Sequence, residues 1–522
     1  MLPPRPPITC PDVFSRIRSH VEGQRGWRAL ATAVGLGAAS ALALPPLHLV
    51  PVLWLTIPGL LLLLGVAPNW RRAALLGLAW GWGFHLAGLY WITEAILTEA
   101  DRLWWAVPIA VPALALPMGA YTVIPALAAW FTPPGRRRVL ALAAGWVFAE
   151  MLRGWLFTGF PWNLLGSVWA FGALPIQGAA WIGVHGLSLA TVILACAPLG
   201  GRRGWAGAAA GLAAFALFGA ARLWPAEPPP QPVAVVLVQG NVGQEVKWRP
   251  ETRWPIFRHY LELTRDAAAQ AAAQLPPGTA IAAVWPETAS PFLLAQDPEA
   301  RRLAAAALPP GGTLLAGTVR GEFEPDGRPR ALFNSLVALN TGGEVLATYD
   351  KSHLVPFGEY MPASGLLPLR VIRGGVDFSE GQGPVSLVVP GLPAFSPLIC
   401  YEVIFSAAVS LHGNARPSWL LNITNDAWFG TSAGPHQHLA TARLRAVEEG
   451  LPLARAAQTG ISAVFDARGR EVGRLDLGKT GSVVAPLPQA MGPTVFATGG
   501  LWIPGLLALV VALGSRARRR RP

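Results

Sequence analysis

Long apolar stretches, separated by short polar breaks, fill the first 224 residues of the chain. A helix needs about 20 consecutive apolar residues to cross a bilayer, and each of these stretches comes close to that length. The pattern therefore predicts seven transmembrane helices, and one more apolar stretch near the C terminus predicts an eighth. The predicted helices are 27–44, 48–66, 73–97, 104–131, 139–157, 176–199, 204–223 and 495–514.

Between the seventh and the eighth predicted helix, the hydrophobic pattern changes. The stretch PAEPPPQP, which begins at Pro225, is typical of a stiff linker at a domain boundary. Beyond it, apolar runs rich in β-branched residues end in polar residues, and helical patterns occupy 252–274, 298–307 and 436–449. These elements predict a layered α/β domain, in which functional residues gather at strand ends. The predicted strands are 233–240, 280–287, 313–320, 333–340, 344–351, 395–402 and 419–426.

The composition supports a membrane protein. With 52% hydrophobic and only 13% charged residues, the 522-residue chain cannot be wholly soluble or disordered. Its net charge of +12 is concentrated in every second loop, and basic loops stay in the cytoplasm. Both termini are therefore predicted to be cytoplasmic. The predicted order is a cytoplasmic segment 1–26, a seven-helix membrane domain 27–224, an external catalytic domain 225–494, an eighth helix 495–514 and a basic tail 515–522.

The basic tail has a second interpretation as a nucleic-acid-binding or nuclear signal. The apolar helix directly before its arginines disfavours that interpretation, and no nucleic-acid partner is predicted. The alternation of basic loops indicates instead that the tail lies on the cytoplasmic side of the membrane.

Three predicted strand ends carry side chains that can divide one reaction between them: Glu287, Lys351 and Cys400. A thiol attacks as the thiolate, so it needs a base and a nearby positive charge that lower its effective pKa. The carboxylate can take the proton, and the ammonium can stabilise the oxyanion that follows. Singly, each residue has an ordinary alternative: a helix cap, a surface ion pair or an inert buried thiol.

Other polar residues give weaker signals. The three cysteines, Cys10, Cys196 and Cys400, form neither a disulfide framework nor a metal knuckle, and the first two are interpreted as bystanders. His436 and His438 lack the i, i+4 spacing and the further ligands of a helical zinc site. No metal is therefore predicted.

Rare and buried charges also stand out. Only three of the 41 basic residues are lysines: Lys247, Lys351 and Lys479. Three ionisable residues lie at or near predicted membrane depth, where two roles stay open: an internal ion pair or contact with lipid head groups. These residues are Glu94, Glu150 and Arg153.

The sequences on either side of Glu287, Lys351 and Cys400 indicate which class of enzyme these residues belong to. VWPETASPF around Glu287, YDKSHLVPFGEYMP around Lys351 and PLICYEVIF around Cys400 resemble the Glu, Lys, Cys triad of the nitrilase, or carbon–nitrogen hydrolase, superfamily. With the predicted membrane helices on both sides, the chain resembles the apolipoprotein N-acyltransferase family over nearly its full length. Further matching stretches are EMLRGWLFTGFPWNLLG at 150–166, VQGNVGQEVKW at 238–248 and NITNDAWFGTSAGPHQH at 422–438.

The resemblance implies an αββα sandwich for the external domain, no cofactor, and a role for each matched residue. Glu287 is expected to be the general base, Lys351 the oxyanion stabiliser and Cys400 the acylated nucleophile. Around them, Glu359 orients the lysine and the base, Glu402 and Tyr401 support the nucleophile, Trp248 lies at the cleft mouth and Asn334 lies near the substrate. The matching stretch also makes Asp426 structural, and the apolar segment 362–373 is expected to be a flexible lid.

The resemblance further implies an acyltransferase of the bacterial inner membrane, acting as a monomer with its catalytic domain in the periplasm. Cys400 takes the sn-1 chain of a phospholipid such as phosphatidylethanolamine and passes it to the α-amine of a diacylglyceryl-cysteine apolipoprotein. Two alternatives stay open: a membrane-tethered amidase that uses water, and a transporter with a ligand-binding outer domain. The absence of a clear internal repeat disfavours the transporter.

Overall fold

The structure, a computed structural model, describes residues 19–98, 100–362 and 377–516. The predicted lid, apart from Pro362, lies outside the described residues, as do Cys10, most of the predicted N-terminal segment and most of the basic tail. The described chain falls into an N-terminal helical region and an α/β domain, and the last helix joins the first of these.

The N-terminal region consists of α-helices and short 3-10 turns. Its α-helices are Gly26–Ser40, Leu53–Gly65, Trp70–Gly88, Ile92–Leu97, Ala100–Leu103, Val107–Ala120, Val123–Trp130, Arg136–Arg153, Ala179–Ala195 and Gly201–Leu223. Small residues let two of them cross closely, because a Cβ on Gly37 would lie 1.9 Å from the carbonyl oxygen of Trp80, and one on Gly83 would lie 2.1 Å from that of Val34.

Two helices in the described ranges are long and apolar enough to cross a bilayer, Trp104–Trp130 and Ala197–Leu223. Three more are apolar but shorter: Val50–Gly65, Ala179–Ala195 and Trp502–Ser515. The predicted span 73–97 is interrupted, since the helix Trp70–Gly88 ends in a turn before Ile92. The count of eight transmembrane helices therefore stays a prediction.

The C-terminal helix Trp502–Ser515 returns to the N-terminal region. It packs along the helix Arg136–Arg153, and Ala508 belongs to the apolar core shared by the N-terminal helices. The chain thus leaves the helical region once, at Leu223, and re-enters it after the α/β domain.

The α/β domain contains two sheets. The first has six strands in the order β11-β1-β2-β3-β4-β5, and the second has five in the order β10-β9-β8-β7-β6. The strands are β1 Val233–Gln239, β2 Ala280–Trp285, β3 Thr313–Phe323, β4 Pro329–Leu339, β5 Val345–Asp350, β6 Phe395–Ile399, β7 Trp419–Thr424, β8 Leu453–Ala457, β9 Ser462–Phe465, β10 Glu471–Leu475 and β11 Gly481–Pro486.

The two sheets pack face to face, because one apolar cluster joins side chains of both, including Val235 and Val284 of the first sheet with Leu421 and Ala456 of the second. Helices cover the outer faces, so the domain is an αββα sandwich. Central strand β1 is buried along all seven residues, which explains its uninterrupted apolar sequence. The domain's helices are Gln244–Lys247, Arg253–Gln274, Pro298–Ala305, Gly434–Glu449 and Val495–Gly499.

All seven predicted strands form within a few residues of their predicted bounds, and so do the three predicted helices. The hydrophobic pattern did not single out β8 to β11. In β8 the charged residue Arg455 interrupts the apolar run, yet it is fully buried and paired with Asp426. Strand β10 is largely exposed and therefore lacks a continuous apolar face.

The helix Gly434–Glu449 lies between the second sheet and the N-terminal helices. On one side, Ala442 belongs to an apolar cluster with Leu420 of β7 and Leu453 of β8. On the other side, Leu444 packs in a cluster with Ile176 from the N-terminal region. This helix is buried on both faces, so it is the joint between the two parts of the chain.

Candidate active site

Three strand ends bring the predicted triad together. Glu287 comes two residues after β2, and Lys351 and Cys400 directly follow β5 and β6. The ammonium of Lys351 lies 3.5 Å from Glu287 Oε1, and both side chains act electrostatically on the thiol of Cys400. Glu287 and Lys351 are buried and Cys400 is half-buried. The cluster lies where ends of strands from both sheets meet.

Cys400, the predicted nucleophile, has an unusual main-chain conformation. Cys400 has a φ of 53° and begins the 3-10 helix Cys400–Ile404. A residue with a side chain adopts this left-handed conformation at a cost of about 1–3 kcal/mol, which the surrounding structure must offset. The turn projects the thiol from the end of a buried strand, where a substrate can approach it.

The carboxylate of Glu402 holds this turn in place. Its Oε2 accepts a hydrogen bond from the main-chain N–H of Ile399, at 2.7 Å. Its Oε1 accepts from Ser352 N at 2.8 Å, Ser352 Oγ at 2.7 Å and Tyr349 Oη at 2.8 Å. One buried side chain therefore ties the segment after Lys351 to the segment of the nucleophile.

Glu359 and Asn334 align the charged groups. Glu359 Oε2 lies 2.8 Å from the ammonium of Lys351. Asn334 Nδ2 donates to Glu287 Oε1 at 2.6 Å and to Glu359 Oε1 at 2.8 Å. The orienting role expected for Glu359 fits these contacts. Asn334 is only 3% exposed and its amide holds the two carboxylates, while its contact with a substrate stays a prediction.

The charges of the site act on the lysine and the thiol in opposite ways. Burial lowers the pKa of Lys351, but the carboxylates of Glu359 and Glu287 outweigh it and raise that pKa above its ordinary value, so the side chain stays an ammonium. Burial and the charge of Glu287 raise the pKa of Cys400, while Lys351 opposes them. The resting group is therefore a thiol, in contrast to the expected lowered pKa, and the base must remove its proton during attack.

Comparison with known proteins places this site in a family. The family model of the apolipoprotein N-acyltransferase N-terminal domain matches residues 36–197, and that of the carbon–nitrogen hydrolases matches 234–494. An apolipoprotein N-acyltransferase of Rhodopseudomonas palustris is 38% identical, covering 98% of this chain and 99% of the relative. The chain belongs to the apolipoprotein N-acyltransferase family. The Bradyrhizobium diazoefficiens relative of the same name is 40% identical over 95% of this chain and 97% of its own.

About half of the chain is also similar to solved structures. An amidase from Nesterenkonia sp. is 24% identical, covers 51% of this chain and 93% of its own, and superposes with a TM-score of 0.34. Two observations show that the α/β domain of this apolipoprotein N-acyltransferase family member is nitrilase-like. They are the match to the carbon–nitrogen hydrolase model and the two-sheet sandwich.

In this apolipoprotein N-acyltransferase family member, the N-terminal helical region reaches the active site. Tyr401 donates its hydroxyl to the carbonyl of Gly159 at 2.6 Å, and its ring stacks on Phe160. The hydroxyl of Tyr401 is therefore engaged by the N-terminal region. Trp248 is 51% exposed at the end of the helix Gln244–Lys247, and its place at a cleft mouth stays a prediction.

A second chain of contacts holds the main chain of the nucleophile. His438 Nε2 donates to the carbonyl of Cys400 at 3.2 Å, and Asp426 lies 3.0 Å from the other ring nitrogen. Asp426 also accepts from Arg455 at 2.7 Å. Burial raises the pKa of Asp426, but Arg455 and His438 outweigh it and lower that pKa, so the carboxylate stays ionised. These contacts agree with a structural Asp426.

Across the part of the chain that the structure describes, no three His, Cys, Asp or Glu side chains are grouped as a metal site would require. His438 lies beside the nucleophile and Asp426, as described above, and Cys196 is buried in the N-terminal region.

The buried charges of the N-terminal region have partners within the protein. Glu150 accepts hydrogen bonds from Trp146 Nε1 at 3.0 Å and from Leu165 N at 2.7 Å, and it lies 3.5 Å from His185. Arg153 contacts the ring of His85. Both residues therefore have polar partners within the protein, and the choice between an internal ion pair and contact with lipid head groups stays open. Glu150 anchors the loop that carries Gly159.

Sequence reasoning missed two contributors to the site. Asn425, directly after β7, donates its main-chain N–H to Glu287 Oε2 at 2.8 Å, and the rule that functional residues follow strand ends would have found it. Lys247 lies against the main chain at Glu287. Its signal was the rarity of lysine in an arginine-rich chain.

Proposed function

We propose that the protein transfers an acyl chain from a phospholipid to the N-terminal α-amine of a diacylated apolipoprotein, through a thioester on Cys400. The observation that carries the proposal is the joined cluster of Glu287, Lys351 and Cys400 in a chain that matches apolipoprotein N-acyltransferases over almost its whole length. By the same resemblance, the donor is proposed to be phosphatidylethanolamine, attacked at its sn-1 ester, and the enzyme is proposed to act as a monomer.

The first half-reaction forms the thioester. Glu287 takes the proton of the Cys400 thiol as sulfur attacks the ester carbonyl carbon, and the ammonium of Lys351 faces the negative charge that develops on oxygen. When the tetrahedral intermediate collapses, the carbon–oxygen ester bond breaks. Glu287 returns the proton to the departing oxygen, so a lysophospholipid leaves and the acyl chain stays on sulfur.

The second half-reaction forms the amide. The α-amine of the acceptor attacks the thioester carbonyl, and Glu287 takes the proton that the nitrogen loses. Collapse breaks the carbon–sulfur bond, and the proton returns to sulfur. Burial of the site limits access of water to the thioester, which favours the amine over hydrolysis.

We expect the purified enzyme, incubated with a phospholipid labelled in its sn-1 chain, to carry the label on Cys400. Addition of a synthetic diacylated lipopeptide should then move the label to the peptide amine, because the thioester is the intermediate of both half-reactions. The measurement is mass spectrometry of the enzyme and the lipopeptide. A lipopeptide whose α-amine is acetylated is the matched control, and it should receive no label.

Two outcomes would contradict this proposal. Label released only as free fatty acid, with or without the lipopeptide, would favour an amidase-like hydrolase. If no residue of the enzyme ever carried label, no acyl-enzyme would form, and a binding or transport role would be favoured.

The proposed location is the bacterial inner membrane, with several transmembrane helices, both termini in the cytoplasm and the α/β domain in the periplasm. The arginine-rich loops support this topology through the positive-inside rule. A position of the thiol near lipid ester groups is supported by the contact between Tyr401, next to Cys400, and Gly159 in a loop of the N-terminal region.

Reporter fusions should detect this topology. A reporter that is active only in the cytoplasm is expected to work when fused after Pro522. It should also work when inserted at Gly135, next to the arginines 136–138 between the fourth and fifth predicted helices. The same reporter inserted near Pro228 should be silent, whereas a periplasm-specific reporter should be active there. Cytoplasmic activity at Pro228 would reverse the proposed orientation.

A further inference from the structure

Lys247 is a second fully buried lysine beside the proposed general base. It ends the short helix Gln244–Lys247 and is 1% exposed, as is Lys351. A buried ammonium is unfavourable unless hydrogen bonds or an opposite charge stabilise it. Lys247 has no role in the two proposed half-reactions. Because burial of an ammonium is unfavourable, we expect groups nearby that stabilise its charge.

The partners of Lys247 lie in the turn that carries Glu287. Its Nζ donates to Thr288 Oγ1 at 2.5 Å and to the main-chain carbonyl of Glu287 at 3.4 Å. Thr288 has a φ of 47°, a left-handed conformation that its branched side chain disfavours. Lys247 therefore stabilises a strained turn whose shape sets the position of the carboxylate of Glu287.

The charge of Lys247 also balances the site. Lys351 is shared between two carboxylates, at 2.8 Å from Glu359 and 3.5 Å from Glu287, so one ammonium faces two negative charges. Lys247 supplies a second positive charge on the main-chain side of Glu287. Burial lowers the pKa of Lys247 to about 7, against the attraction of Glu287, so its ammonium is present in full only below neutral pH.

We propose that Lys247 is a positioning residue for the general base: its ammonium fixes the turn at Glu287 and so holds the carboxylate where it can take the proton of Cys400. This role rests on the proposed function, in which Glu287 takes that proton. Lys247 acts through Glu287 and touches no reacting atom.

The test compares Lys247→Met, which keeps the length of the side chain without its charge, with Lys247→Arg, which keeps the charge. The exposed lysine of the chain supplies the control Lys479→Met. Two rates are measured in the full-length protein between pH 4 and 8: alkylation of Cys400 by iodoacetamide, followed by mass spectrometry of its peptide, and acylation by labelled phosphatidylethanolamine. Thermal unfolding of each variant monitors the fold.

Below pH 7, Lys247→Met should be about tenfold slower than the wild type in both assays, because the turn at Glu287 loses the ammonium that fixes it. Its rates should approach those of the wild type above pH 7, where Lys247 itself loses its charge. Lys247→Arg stays positively charged, so it should not show the deficit of Lys247→Met below pH 7, and Lys479→Met should match the wild type.

A loss of rate in Lys247→Met that is equal at every pH from 4 to 8 would overturn the inference and leave Lys247 a packing residue. Should Lys247→Met not fold, Lys247→Gln replaces it with the same expected pH dependence. The two assays separate the inference from the proposed function. An alkylation rate with this pH dependence, in an enzyme that phosphatidylethanolamine never acylates, would refute the proposed donor while supporting the role of Lys247.

Discussion

Cys400→Ala is expected to remove the acyl-enzyme and to lower acyl transfer by at least about 10⁴-fold, because the sulfur forms the only covalent bond to the travelling chain. The fold should persist, since the turn at Cys400 is held by Glu402 and His438 rather than by the thiol. The measurement is the label on intact protein and on lipopeptide by mass spectrometry, with thermal unfolding alongside.

Cys196→Ala is the matched control, because Cys196 is also a free thiol but is buried in the N-terminal helical region. It should retain both the label and the turnover. Label on Cys400→Ala protein would show that another residue is the nucleophile and would contradict the proposed half-reactions.

Lys351→Met should lower the rate of acyl-enzyme formation by about 10²–10³-fold, the usual effect of losing a donor to a developing oxyanion. It should also destabilise the protein, because the buried carboxylates of Glu359 and Glu287 lose the cation between them. Breaking a buried ion pair on one side costs about 3–5 kcal/mol. Single-turnover kinetics and thermal unfolding measure the two effects separately.

The double variant Lys351→Met/Glu359→Gln distinguishes catalysis from charge balance. Neutralising Glu359 removes one of the two unpaired carboxylates, so thermal stability should recover in part while the rate stays low. Recovery of the rate together with the stability would mean that Lys351 only balances charge, and the oxyanion role would then be wrong.

Much of this arrangement could be predicted because it depends on local patterns of apolar and polar residues. Buried strands such as β1 and β2 are almost continuous apolar runs, and Glu287 comes two residues after β2. The order of the elements and the three chemical side chains are therefore visible in short windows of sequence. The family match over 98% of the chain extends the same information to the helical region.

The supporting contacts could not be predicted because they join residues far apart in sequence. Glu402 reaches Ser352, 50 residues away, and the main chain of Asn425 reaches Glu287 across 138 residues. Which nitrogen meets which oxygen depends on how the two sheets are stacked, and hydrophobic periodicity carries no information about that. The raised pKa of Cys400 is hidden for the same reason, since burial outweighs Lys351 only after folding.

The helix Gly434–Glu449 makes the catalytic half of this chain unsuitable as a portable module. One of its faces belongs to the sandwich and the other to the helical region, so a cut through the linker at Pro225 would leave an apolar surface with nothing against it. Such a fragment would self-associate or bind detergent, and recombination with an unrelated anchor would not restore the lost contacts. The helical region and the α/β domain must therefore be expressed and engineered together.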